Sequence, residues 1–141
     1  MNRRNLIRLG VAGLASGIIV PKLVLAGASS SSMAGGVYYT KDAPGRWSKK
    51  AAGHLPAIEL DKNADKIGVR IVTGHEMKGY EHYIVKHILL NQDFEFLDEK
   101  LFDPMKDSVP ISTFELTNYS GTLHALSVCN KHDTWLNFIE V

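Results

Sequence analysis

Five side chains of this 141-residue sequence have the types and spacing of metal ligands. Cys129, the only cysteine, is followed three residues later by His132 in VCNKHDTW; His75 and His82 lie in GHEMKGYEHYI, and His54 lies in GHLP. A single cysteine has no partner within its chain for a disulfide, whereas thiolate and imidazole together suit iron, copper or zinc. Ligand candidates poor in carboxylates argue against calcium or magnesium. A transition-metal site is therefore the leading interpretation of these residues.

Short β-type runs separated by turn residues must position these side chains. The runs cover residues 67–72, 82–90, 112–118, 123–129 and 135–141. No internal repeat and no long amphipathic pattern interrupts them. Short strands at this spacing predict an all-β antiparallel sandwich or a small barrel.

Strand alternation divides the six histidines into two groups, because successive side chains point to opposite faces. In the run 82–90, His82 shares a face with Ile84, and His87 falls on the opposite face. In the run 123–129, His124 falls on the face opposite to Cys129. We therefore expect His87 and His124 to be surface or packing residues rather than ligands.

Three segments, GHLPAIEL, GHEMKGYEHYI and LHALSVCNKHDTW, resemble in the same order the metal-binding segments of the superoxide reductase family, the iron domain of neelaredoxin and desulfoferrodoxin. The resemblance runs from about Trp47 to the C-terminus. It implies an immunoglobulin-like sandwich of about seven strands and one iron ion per chain, with the thiolate on the axis of four imidazoles and a sixth position open. The implied ligands are His54, His75, His82, Cys129 and His132.

The same resemblance implies an activity and its partners. In the family, ferrous iron gives one electron to superoxide, and two protons complete hydrogen peroxide. The oxidised iron then takes an electron from a donor, which must be external here because the single cysteine cannot build the four-cysteine module of two-iron members. A homo-oligomer would also be in keeping with the family.

The sequence departs from the family pattern immediately before the first ligand. Most members have a glutamate and a lysine there, where this chain has Ala52 and Gly53. Lys50 and Lys78 are the nearest candidates for the missing positive charge. We expect these departures to affect superoxide turnover more than metal binding.

The N-terminal residues have the layout of a secretory signal. Arg3 and Arg4 precede an apolar run over residues 9–25, and the small residues Ala26 to Ala28 follow. This pattern predicts a twin-arginine signal over residues 1–28 and export to the periplasm or an equivalent space. A retained membrane anchor is the alternative, although glycines and a lysine interrupt the apolar run.

Removal of the signal would leave a flexible lead-in over residues 29–46 and one iron-binding domain over residues 47–141. The signal holds four of the 16 basic residues and no acid, so 12 Lys and Arg would face 15 Asp and Glu, a net charge of −3. A net negative domain argues against nucleic acid and anionic membranes as partners. We expect no stable membrane insertion after processing.

Other interpretations of the same residues remain open. An iron-binding sensor or electron-transfer protein of the same fold would explain the loss of the glutamate and lysine. A blue-copper carrier also uses C-x-x-H, but it usually adds a methionine soon after the last histidine, and none follows His132. A sandwich with scattered histidines, or a Cys129–His132 nucleophile and base, explains fewer of the five residues.

Overall fold

The computed structural model describes residues 33–141, which form two antiparallel sheets. The first sheet has the order β1-β2-β5 and the second the order β4-β3-β6-β7. This arrangement confirms the predicted all-β immunoglobulin-like sandwich. The strands are β1 Ala57–Asn63, β2 Lys66–Val72, β3 Ile84–Leu90, β4 Phe96–Leu101, β5 Ile111–Thr117, β6 Thr122–Cys129 and β7 Asp133–Glu140.

Apolar residues that alternate along the inner strands form the core between the sheets. In β2, every second residue is buried, and Val69 and Ile71 are inaccessible to solvent. Leu89 of β3 and Leu123 of β6 meet them from the second sheet. Burial of one such side chain stabilises the fold by about 1.5–3 kcal/mol. This main core holds the two sheets together below the predicted site.

The sequence runs did not predict β1 and β4. Both are edge strands, their sequences AIELDKN and FLDEKL are mostly exposed, and each holds three charged residues. Charged residues on an edge strand keep it from pairing with other chains, and they also weaken the apolar alternation that marks a strand in sequence. The five predicted runs match the remaining strands within two residues at either end.

The face assignment of His87 is wrong. The register of β3 against β6 shifts between Ile84 and Lys86, and this β-bulge turns both Ile84 and His87 into the interior. His82 precedes β3 and lies in an isolated bridge with Lys78. His124 does lie on the outer face of β6, where it stacks on Phe94 at 4.1 Å between ring centroids.

The predicted lead-in over residues 29–46 is described from residue 33 onward, and that part is not a free linker. Tyr39 is buried beside β7: its N–H donates to Thr134 O at 2.9 Å, and Leu136 N–H donates to Tyr39 O at 2.8 Å. Its ring packs 5.5 Å from that of Trp135. The predicted signal over residues 1–28 lies outside the described residues. Within residues 33–141, no helix is long and apolar enough to cross a membrane.

Candidate metal centre

The five predicted ligand side chains meet at one end of the sandwich. Their ligand atoms all lie within 4.8 Å of one another, although the residues are spread over 79 positions of the sequence. The cluster consists of His54, His75, His82, Cys129 and His132.

The four imidazoles place one ring nitrogen each near the corners of a square. Nε2 of His75 lies 3.0 Å from Nε2 of His82, which lies 3.2 Å from Nδ1 of His132; that atom lies 3.1 Å from Nε2 of His54. The centre of a square with such edges lies about 2.2 Å from each corner, close to the bond length of a metal to imidazole nitrogen. The nitrogens are therefore spaced for one ion.

Ring orientations agree with this square. Neighbouring rings around it are steeply inclined, at 79° for His54 and His75, 87° for His75 and His82, 69° for His82 and His132 and 84° for His132 and His54. His54 and His82, which lie on opposite corners, have ring centroids 6.3 Å apart and planes 30° apart. The rings thus surround the common centre like the blades of a propeller.

The thiol of Cys129 lies over the square rather than at one of its corners. Sγ is 3.7 Å from Nε2 of His75 and 3.6 Å from Nδ1 of His132, which occupy opposite corners. Near-equal distances to these two corners place the sulfur midway between them, on one side of the square. Four imidazoles in a plane and one sulfur on the axis suit iron, whereas a structural zinc site uses four tetrahedral ligands.

The ligands arrive from both sheets and from a helical segment. A 3-10 helix over Gly45–Gly53 ends directly before His54. The connection from β2 to β3 carries His75 and His82, and the end of β6 and the turn into β7 carry Cys129 and His132. The site therefore forms only when the two sheets and the helical segment are assembled.

Asn130 ties the two ligand-bearing loops together. Its side-chain amide donates to Glu81 O at 3.0 Å and to Tyr80 O at 3.3 Å, and its side-chain oxygen accepts from Tyr83 N–H at 3.0 Å. Its own N–H donates to Tyr83 O at 3.2 Å. One residue thus holds the loop around His82 against the turn that follows Cys129.

Three ligand imidazoles have an oxygen partner on the ring nitrogen that points away from the square. Nδ1 of His54 lies 2.7 Å from Lys50 O, Nδ1 of His82 lies 3.1 Å from a Glu76 carboxylate oxygen, and Nδ1 of His75 contacts Glu76 O. Such partners fix the tautomer and the orientation of a metal-binding imidazole. They leave the other nitrogen free to donate its lone pair inward.

Burial and mutual proximity favour the neutral form of three of these imidazoles. Desolvation, followed by the charge of neighbouring histidines, lowers the pKa of His54 to about 4. Desolvation is also the main cause that lowers the pKa of His75 and of His132. Neutral imidazole is the form that binds a metal, so these three histidines are ready to do so at pH 7.

Comparison with known proteins agrees with the geometry. The Desulfoferrodoxin family model matches residues 46–138, about two thirds of the chain and all five clustered residues. The chain belongs to the desulfoferrodoxin family.

Individual relatives and solved structures agree with this membership. Superoxide reductases of Pyrococcus horikoshii and Pyrococcus abyssi are 28% and 29% identical, and each match covers 69% of this chain and 92% of the relative. The solved structure of the superoxide reductase (neelaredoxin) of Ignicoccus hospitalis is 31% identical with a TM-score of 0.63, over 76% of this chain and 95% of that one.

The two lysines proposed to replace the family's basic residue occupy different surroundings. Lys50 lies in the 3-10 helix that leads to His54, and its positive charge is one of the causes that lower the pKa of His132. Lys78 is exposed, and its ammonium lies 3.8 Å from a carboxylate oxygen of Glu81. Ala52 and Gly53 end the helical segment, and neither offers a charge.

The sulfur has one backbone donor beside it. Lys131 N–H points to Sγ of Cys129 at 3.5 Å, whereas the N–H of Asn130 donates to Tyr83 O. A hydrogen bond to a ligand thiolate withdraws charge from it and tunes the metal potential.

Sequence reasoning did not single out the residues that surround His132. The edge of the Trp47 ring packs against His132, with centroids 4.8 Å apart, and its Nε1 donates to Asp133 at 2.8 Å. Arg46 lies over Trp47 and pairs with the same carboxylate at 2.7 Å. The hydrogen bonds from Trp47 and Arg46 lower the pKa of Asp133. Its negative charge therefore persists next to the site.

Proposed function

We propose that this protein reduces superoxide to hydrogen peroxide at one iron ion held by the four histidines and Cys129. The observation that carries the proposal is the square of imidazole nitrogens with the cysteine sulfur on one side of it, nearly equally far from two opposite corners. Ferrous iron would supply one electron, superoxide would take up that electron and two protons, and a one-electron donor would restore the ferrous state. The relatives named above, which are superoxide reductases, support the same activity.

The donor set favours this chemistry over the blue-copper alternative. Blue-copper sites use two histidines, one cysteine and a weak axial ligand, whereas four imidazoles converge here. The five ligand atoms found among residues 33–141 would leave an octahedral ion one position for a small anion. The thiolate of Cys129 would increase the electron density on a bound iron, as the cysteine ligand of haem enzymes does.

Lys50 is the better candidate for attracting superoxide. Its charge acts on His132 at the rim of the site, whereas the charge of Lys78 is partly balanced by Glu81. A positive charge at the mouth of a site raises the local concentration of an anion and its rate of association. Lys50 therefore takes the role that a lysine next to the first ligand has in most of the family.

The protein's setting follows from the predicted signal. We place its activity in the periplasm or an equivalent exported space, with an external electron donor. The twin-arginine route, which carries folded proteins, suits a chain that binds its metal before export.

An iron-binding sensor or electron carrier is the second candidate. Ala52 and Gly53, which replace the glutamate and lysine of the family pattern, favour it. A protein of this kind would keep the iron and its spectrum but react slowly with superoxide.

Mixing the reduced iron protein with superoxide generated by pulse radiolysis separates the two functions. The reductase predicts oxidation of the iron at a rate approaching diffusion control, slowed severalfold by Lys50→Ala and by added salt. Lys78→Ala is the matched control, and we expect a smaller effect. Slow oxidation of the wild type, with iron fully bound, would assign the sensor or carrier instead.

A further inference from the structure

A group of buried polar side chains lies between the two sheets, close to the metal centre. We call Thr73, His87, Ser112 and Ser127 the polar clasp. The Thr73 hydroxyl lies 2.8 Å from Nε2 of His87 and 2.9 Å from the Ser127 hydroxyl, and Nδ1 of His87 lies 2.7 Å from the Ser112 hydroxyl. All four residues are at most 3% exposed.

The clasp joins the two sheets next to the residues that carry His75 in the first sheet's chain segment and Cys129 in the second sheet. Thr73 and Ser112 follow or belong to the strands of the first sheet, while His87 and Ser127 are cross-strand neighbours in the second. Thr73 precedes His75 by two residues, and its carbonyl accepts from His75 N–H at 2.8 Å. Ser127 precedes Cys129 by two residues and shares its inward face of β6.

The clasp also separates two apolar clusters. The main core, with Val69, Ile71 and Leu89, lies on one side. Ile84, Phe102 and Cys129 form a small cluster under the site, and Phe102 packs edge-on against His87 at 5.0 Å. Apolar contacts are not directional and restrict the relative position of two sheets only weakly. A satisfied network of hydrogen bonds is directional and holds its members in one arrangement.

We infer that the polar clasp positions Cys129 against His75, so that the sulfur lies above the square of imidazoles. The inference rests on the proposed function, since it assigns the clasp to the same metal site. Thr73 and Ser127 are positioning residues that act through the backbone to the ligands two residues further along. Loss of the hydrogen bond between them would let the two sheets shift against each other next to His75 and Cys129.

Thr73→Val removes the hydroxyl at nearly constant shape, and Thr73→Ser keeps it. In the iron-loaded protein, we expect Thr73→Val to shift the thiolate-to-iron absorption band and the reduction potential and to lower iron affinity about tenfold, in the range measured for residues that support metal ligands. Thr73→Ser should restore all three. Val69→Ala, a truncation in the main core, should lower the unfolding temperature and leave the band and the potential unchanged.

A Thr73→Val protein that differs from the wild type only in stability, as Val69→Ala does, would overturn the inference. If Thr73→Val does not fold, Ser127→Ala decides, because it removes the link to β6 and leaves the bond between Thr73 and His87. A wild type without a thiolate-to-iron band would contradict the proposed function. The clasp would then be tested by cobalt(II) affinity and spectrum in the same variants, with an unchanged Thr73→Val again contradicting it.

Discussion

The imidazole side chain has different surroundings in the metal-centre cluster and at His87. In the cluster, the outer nitrogen of three imidazoles contacts a backbone or carboxylate oxygen, and the inner nitrogens converge, with spacings of 3.0–3.2 Å along three edges of the square. Both ring nitrogens of His87 instead contact a hydroxyl group, and the residue is completely buried. A histidine with one nitrogen left toward its neighbours is built to bind a metal, whereas one with both nitrogens satisfied holds the core.

The difference explains why histidines in two parts of the same structure differ in their need for a bound cation. Convergent nitrogens leave lone pairs facing one another, an arrangement that a bound cation would stabilise. Fully bonded polar groups need no such partner. The comparison therefore separates changes that remove the metal from changes that only weaken the fold.

The largest effect is expected from loss of the sulfur. Cys129→Ser should abolish the thiolate-to-iron charge-transfer band, because only the thiolate supplies that transition. His87→Ala should retain the band and shift it at most, since His87 reaches the site only through the polar clasp. Absorption spectra of the two oxidised proteins test this contrast; a band in both would refute the assignment of Cys129.

The second-largest effect is expected in the free energy of unfolding, which metal binding should raise. With free metal at 100 to 1,000 times the dissociation constant, the wild type should gain about 3–4 kcal/mol over the metal-free protein. His54→Ala should lose most of that gain, whereas Val69→Ala should keep it on a less stable fold. Thermal unfolding with and without a chelator measures both, and an equal gain in His54→Ala would place the metal elsewhere.

The pH dependence of stability tests the role of His87 in the core. Burial lowers its pKa to about 4, below the usual value of 6.5, and the neighbours that contact it are hydroxyls and a phenyl ring without charge. Between pH 6.5 and pH 4, His87 is therefore protonated in the unfolded chain but not in the folded protein. The contribution of neutral His87 to the free energy of unfolding is complete above pH 6.5 and falls toward pH 4, by at most about 3 kcal/mol.

Chemical denaturation of the wild type and of His87→Gln between pH 7 and pH 4 tests this assignment. The difference in unfolding free energy between the two proteins should shrink as the pH falls. A difference that stays constant over the window would mean that His87 titrates alike in both states.

A smaller loss of metal affinity is expected when the exposed carboxylate that contacts His82 is removed. Glu76→Gln should weaken metal binding by up to about tenfold, because its carboxylate supports His82 but is 62% exposed. Glu81→Gln is the control, since Glu81 pairs with Lys78 beside the same loop. Competition with a chromophoric chelator measures both affinities; equal losses would assign the effect to loop charge instead.

The five side chains selected from the sequence as ligand candidates lie together, whereas two of the seven strands were not predicted. Ligand types and order are visible in the sequence, and the five chosen side chains do lie together. The inward turn of His87 depends on a bulge beside Ile84, which no pattern of residues announces. Glu76 was not singled out because an acid beside a histidine looks like any solvated residue.

Edge strands and the segment around Tyr39 were missed for a related reason. The charges of β1 and β4 suit a strand with one free edge, yet they hide the alternation on which recognition depends. Tyr39 gains its place from pairing with β7, more than 90 residues later in the chain. Contacts of this kind depend on the assembled sandwich and leave little trace in local sequence.

Metal content and the visible spectrum of the purified protein, oxidised after growth with iron, decide whether the four histidines and Cys129 bind iron. We expect one iron per chain and a broad absorption band at the red end of the spectrum, from the thiolate of Cys129 to ferric iron. An intense blue copper band, or tightly bound zinc with no iron uptake, would contradict an iron site built from these four histidines and this cysteine.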